Sequence, residues 1–232
     1  MEIAPELFAE VYPSVVRIAK GLAGREDVAE GVVRFVMIRA SHMIPTWRDE
    51  SAAERWFLHH TVLTARRAAA HEPNPKNDLL ARSEPPDPAY VAFVRALRGL
   101  PNQQIEAYLL HHGEKLNERL LGVAMDLSTG AAGSHLAAAT LTLHTMAGEN
   151  YPTLAAVFEK AYASLTPPET IVRTTSRTEI RSILWRKLIR RVVRRLVLLA
   201  LLGGLAYARW RWRAQLLHWF EVVRAAAQTQ RS

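Results

Sequence analysis

The sequence predicts an all-α protein, built as two small helical domains followed by a C-terminal hydrophobic helix. Apolar residues recur at helical spacing along most of the chain, and strand-like alternation is hard to find. Prolines gather between positions 72 and 88 and split the periodic segments into two blocks. Charge divides the chain as well. Ser176–Ser232 holds 13 Lys/Arg against 2 Asp/Glu, whereas Met1–Thr175 holds 17 against 20. The basic balance therefore belongs to the tail and points to an anionic surface there, not to nucleic-acid binding by the body.

Each element has its own warrant. Pro5–Gly24 places Leu7, Phe8, Val11, Val15, Val16, Ile18 and Leu22 at helical spacing. Arg25–Ser41 is a second helix, with Asp27 and Glu30 in its first turns, where the helix dipole favours acids. Its apolar positions are Val28, Val32, Val33, Phe35, Val36 and Ile38. Pro45 and Asp49–Ser51 mark a loop, and Ser51–His71 is a third helix with Trp56, Phe57 and Leu63 as core candidates. Five prolines between Glu72 and Pro88 make a stiff linker. In the second block, Pro101 is placed to open a helix. Asn117–Met125, Asp126–Gly130 and Ala131–Leu143 follow as helix, tight turn and helix, and Tyr151–Leu165 adds another. A long helix is expected to start near Ser176. The expected divisions are 1–71, a linker at 72–88, 89–145, a helical connector at 146–175, and the basic tail 176–232.

Chemistry-bearing patterns are sparse. The chain has no HExxH, GxGxxG, GxxxxGK[ST] or GxSxG run, so no catalytic residues and no cofactor are assigned, and an enzyme is not expected. His59–His60 and His111–His112 are adjacent pairs. Neighbours on a helix do not share a face, so neither pair is a natural metal clamp, and no metal site is assigned. With no cysteine, disulfide and thiolate chemistry are excluded, which fits a reducing compartment. The N-terminus lacks a basic region followed by an apolar run, so no secretory signal is expected.

Several stretches share a family's layout. They are Glu6-Leu7-Phe8 with Tyr12-Pro13, the run Asp27–Ala40, and Ala53-Glu54-Arg55-Trp56-Phe57-Leu58 in the first block. In the second they are Ala96-Leu97-Arg98-Gly99-Leu100-Pro101, Glu106–His112 and Ser128-Thr129-Gly130. With two helical blocks, a proline-rich linker and a terminal helix-turn-helix, the chain resembles an extracytoplasmic-function sigma factor. The resemblance covers about residues 6–70 and 90–143. It implies core RNA polymerase and promoter DNA as partners, with an anti-sigma or other protein partner. It implies polymerase contact by Asp27, Glu30, Arg34, Phe35 and Ile38. DNA contact falls to Arg55, Trp56, Arg66 and Arg67 in the first block and to Ser128, Thr129, Ser134 and His135 in the second.

The chain also departs from the family's pattern. Gly31, Arg34 and Phe35 stand where acidic or amide side chains are usual, and Leu63 stands where a polar Asn is common. Ala131–Leu143 contains no Lys or Arg, so that helix lacks the electrostatic term behind most non-specific DNA affinity. Two functions follow: a divergent sigma factor, or a sigma-like adaptor that has lost DNA reading and works through protein contact at a membrane.

The tail centres on the uncharged run Leu196–Ala208. Thirteen helical residues reach about 20 Å against roughly 30 Å of hydrocarbon. A span over 192–212 requires Arg194, Arg195 and Arg209 to snorkel, with Leu196, Leu199 and Leu202 in lipid and Tyr207, Trp210 and Trp212 at the interface. Six basic residues from Arg186 to Arg195 precede the run and three follow it closely. The positive-inside bias then puts the N-terminal blocks on the cytoplasmic side of the inner membrane. A helix lying on anionic membrane lipid, aided by Leu216, Leu217, Phe220 and Val223, and a buried core helix are the other two placements.

Overall fold

A computed structural model describes residues 4–43, 49–69, 78–82 and 87–168, together with 185, 189, 192–209 and 212 in the tail. It is all-α, and no strand occurs among the described residues. The chain separates into two compact units, Met1–Arg181 and Ser182–Ser232. Pro45, the predicted linker positions 72–77 and 83–86, the expected helix start near Ser176, and Arg186, Arg190, Arg191, Trp210, Leu216, Leu217, Phe220 and Val223 lie outside the described residues.

In the larger unit, α1 (Ala4–Ala23), α2 (Glu26–Met43) and α3 (Glu50–Ala69) pack pairwise around one core. Phe8, Val11, Val15 and Val16 of α1, Val32, Val36 and Met37 of α2, and Ala53 and Phe57 of α3 meet there. The Phe8 and Phe57 rings stand edge to face with centroids 5.5 Å apart, an arrangement that adds to their burial. Phe35 and Ile38 belong to the helical repeat of α2 but point outward, 51% and 40% exposed.

The second block comprises α4 (Pro88–Arg98), α5 (Asn102–Tyr108), α6 (Glu118–Met125), α7 (Thr129–Ala147) and α8 (Tyr151–Ser164). Asp87 caps α4 by accepting from the Ala89 N–H, with Pro88 just inside the helix. Pro101 immediately precedes α5, one place before the N1 position expected of it. A widened π turn, Leu109–Gly113, extends α5. It brings Gly113 against Tyr162 of α8 so closely that an added Cβ would lie 2.7 Å from the ring.

α6 ends at Asp126, whose left-handed φ of 62° suits a short polar side chain. The Leu127 N–H donates to the Gly122 carbonyl at 2.9 Å, closing the turn. Gly122 lets the turn come this near, since a Cβ there would meet the Leu127 oxygen at 2.9 Å. Ser128 then caps α7 through the Ala131 N–H. The predicted turn is thus three residues long, and α7 begins two residues earlier and ends four later than the sequence pattern indicated.

A further core joins the two blocks. Ile18 of α1 and Leu58 and Val62 of α3 pack with Ala107, Leu110, Leu121, Ala124, Met125 and Ala132 from the second block. The described middle of the linker docks as well: Asp78 caps a short 3-10 turn, Leu79–Ala81, that buries Leu79 and Leu80. Gly24 ends α1 at φ 69°, and its carbonyl accepts from the Leu79 N–H at 2.9 Å.

In the smaller unit, residues 192–209 form a continuous helix, α9, whose side chains are all exposed. No described helix is long and apolar enough to cross a membrane; α9 carries Arg194, Arg195 and Arg209 within its eighteen residues.

Candidate interaction surfaces

The α2 candidates share one outward region. Asp27, Glu30, Arg34, Phe35 and Ile38 are all exposed, and Gly31 among them has nothing within 4 Å of where its Cβ would be. This is a mixed face in which an aromatic ring and an aliphatic side chain stand in water beside acids and a guanidinium. Arg25 hydrogen-bonds the Asp27 carboxyl and holds it below the usual carboxylate range. Glu30 and Arg34 also border a cleft of about 510 Å³ between α1, α2 and the end of α8.

The DNA candidates are dispersed. Arg55 is exposed and donates to Ser51, one turn back, at 2.7 Å. Trp56 is half-buried against the first core and stacks on His60, ring centroids 4.0 Å apart. Arg67 is exposed. Arg66 is committed elsewhere: its Nε and Nη2 donate to both oxygens of Glu106 at 2.7 and 2.6 Å, and Nη2 also donates to the Met125 carbonyl at 3.0 Å. Ser128 is spent on capping, Ser134 donates to the Gly130 carbonyl, and Thr129 is exposed while His135 is half-buried. The outward side of α7 has no cation; it shows Ala137, Leu141, Thr145 and Met146, with Leu141 68% exposed.

Sequence reasoning missed the ionic seam between the blocks. Three arginines each grip one carboxylate through two nitrogens, the fork geometry that makes charge-assisted bonds strong. Arg17 of α1 holds Glu114 at 2.8 and 2.7 Å, with Ser14 donating to the same carboxylate. Arg66 of α3 holds Glu106 of α5, which is only 3% exposed. Arg98 of α4 holds Asp78 and also donates to the Gly21 carbonyl at 2.7 Å, occupying the unpaired carbonyl end of α1. Glu114 and Glu106 in turn hold the Arg17 and Arg66 guanidiniums above their ordinary range. A signal for this was present: Glu106 and Glu114 sit in a strongly apolar stretch, IEAYLLHHGEKL, where an acid needs a partner.

The histidine pairs stand edge to face, with centroids 5.0 Å apart in both. Burial pushes His112 down to about 4, with His111 adding to the shift. No group of three His, Asp or Glu residues able to hold a metal ion occurs among the described residues.

In the tail, Arg194, Arg195, Leu196, Leu199, Leu202, Tyr207 and Trp212 are all exposed. The helix therefore presents apolar side chains around its full circumference between arginine-bearing ends. No protein-family model, curated protein or solved structure matches the chain.

Proposed function

We propose that the chain is a divergent sigma factor of the extracytoplasmic-function type, which binds core RNA polymerase and promoter DNA and is held at the inner face of a membrane by its tail. The observation that carries the reading is the exposed α2 face. Phe35 and Ile38 stay in water beside Asp27, Glu30 and Arg34 although the helix has a well-filled core on its other side. Large exposed apolar groups framed by charge are what a protein partner desolvates. In this reading the three-residue turn between α6 and α7 belongs to a helix-turn-helix, and the two blocks are the two domains of the family. The fully exposed apolar surface of α9, with arginines at its ends, supports association with anionic lipid.

The test is initiation by the full chain with bacterial core RNA polymerase on a library of genomic DNA. The reading expects transcripts from defined start sites that are absent without the chain. Transcripts identical with and without it would refute the reading.

A second reading is favoured by the cation-free outward side of α7 and by the engagement of Arg66 with Glu106. Here the sigma-like scaffold is an adaptor for protein contact at the membrane. It predicts that the chain binds a protein partner through α2 without starting transcription.

A further inference from the structure

Five arginines lie along the seam between the two helical blocks, and they fall into two groups. Arg17, Arg66 and Arg98 are neutralised by forked carboxylate pairs. Arg55 of α3 and Arg119 of α6 are not. Among the described residues, Arg55 donates only to the neutral Ser51 hydroxyl, and Arg119 has no side-chain partner. These two line one cavity of about 600 Å³ together with Asn117, Leu120 and Val123. Among the described residues, no carboxylate lines it. The nearest acids in sequence serve other places: Glu118 leans towards Gly133 of α7, 3.6 Å from where a Cβ would be, and Glu54 lines a different cavity with Glu10 and Glu50.

We propose that this cavity is a binding site for a phosphoryl anion, held by Arg55 from the first block and Arg119 from the second. Two guanidiniums on one concavity repel unless an anion sits between them. Guanidinium forks match tetrahedral oxyanions. A third donor is present. The Asn117 side-chain oxygen accepts from the Leu120 N–H at 3.0 Å, which leaves its amide NH₂ available for the ligand. The cavity also lies at the start of α6, where the first-turn N–H groups and the helix dipole favour negative charge. Since the two arginines come from different blocks, the anion links them and favours their packed arrangement. The ligand's phosphoryl group belongs either to a nucleic-acid backbone or to a free polyphosphate; the site is independent of whether the chain binds polymerase.

The experiment is arginine-selective modification of the full chain by phenylglyoxal, read by peptide mass spectrometry. It is run alone, with inorganic pyrophosphate, and with a random-sequence DNA duplex. Arg55 and Arg119 are expected to be protected together by at least one of the two ligands, while the exposed Arg95 of α4 stays reactive. Protection by pyrophosphate alone identifies a free polyphosphate site, and protection by duplex a backbone site. Arg55→Ala and Arg119→Ala are each expected to weaken binding of the protecting ligand about tenfold, as for loss of a charge-assisted contact. Arg95→Ala, of equal charge change, is expected to leave it unaltered. Protection of neither arginine, or equal weakening by Arg95→Ala, overturns the proposal.

Discussion

Removal of Arg66 provides the sharpest test of the seam. Arg66→Leu deletes both bonds to Glu106 and the bond to the Met125 carbonyl, while Glu106 stays in place with its side chain 4% exposed. An unpaired charge at that depth costs about 3–5 kcal/mol. Total stability of about 5–15 kcal/mol leaves little room for such a loss. At roughly 2–4 °C per kcal/mol for a chain of this size, the melting temperature falls by around 10 °C. Arg66→Leu combined with Glu106→Leu removes both charges and should regain most of the loss. Urea melts of wild type, Arg66→Leu, Glu106→Leu and the pair at pH 7 give the coupling energy directly. An Arg66→Leu variant within about 1 kcal/mol of wild type at pH 7, or a pair no better than the worse single variant, would refute the argument.

The other predictions are local. Burial depresses His112 to about 4 and also lowers His60, so both are neutral in the fold but charge in the unfolded chain below about 6.5. Their contribution to stability is complete above pH 6.5 and declines below it, that of His112 being lost as pH falls towards 4. For the partly exposed His112 this amounts to roughly 2 kcal/mol after screening. The stability difference between wild type and His112→Gln should therefore shrink across that window, and a constant difference would contradict it. Gly31→Ala should raise stability by about 0.5–1 kcal/mol, because the position is mid-helix, exposed and open. Gly122→Ala should lower it by about 1–3 kcal/mol by forcing the Leu127 carbonyl away. Chemical melts of the two variants decide both signs.

The helices of the first block were legible because each buries one face. Leu7, Phe8, Val11, Val15, Val16 and Ile18 repeat at helical spacing and all enter cores. Phe35 and Ile38 fit the same repeat yet face water, since the apolar side of α2 is wider than the surface available to cover it. The turn after α6 was legible from Asp126 to Gly130, whereas its shortness depends on the Gly122 contact, which no local pattern reports. The π turn at Leu109–Gly113 follows from the fit of Gly113 against Tyr162, about fifty residues away. The seam was hidden for the same reason. Arg17 and Glu114 lie 97 positions apart, and Arg66 and Glu106 lie 40 apart. In sequence each looks like an ordinary solvated charge, and nothing near Arg66 points to its carboxylate partner. Nothing local marks Arg119, whose place beside Arg55 comes from the cavity the two share.

The claim that α2 is a polymerase-binding face is tested most directly by titrating the full chain against bacterial core RNA polymerase, wild type beside Phe35→Asp. Phe35 is half exposed, so the variant should melt with the wild type. The account predicts saturable one-to-one binding by wild type and a loss of about thirtyfold or more in the variant, as for removal of a central aromatic anchor. No binding by wild type, or equal binding by the two proteins, would contradict it.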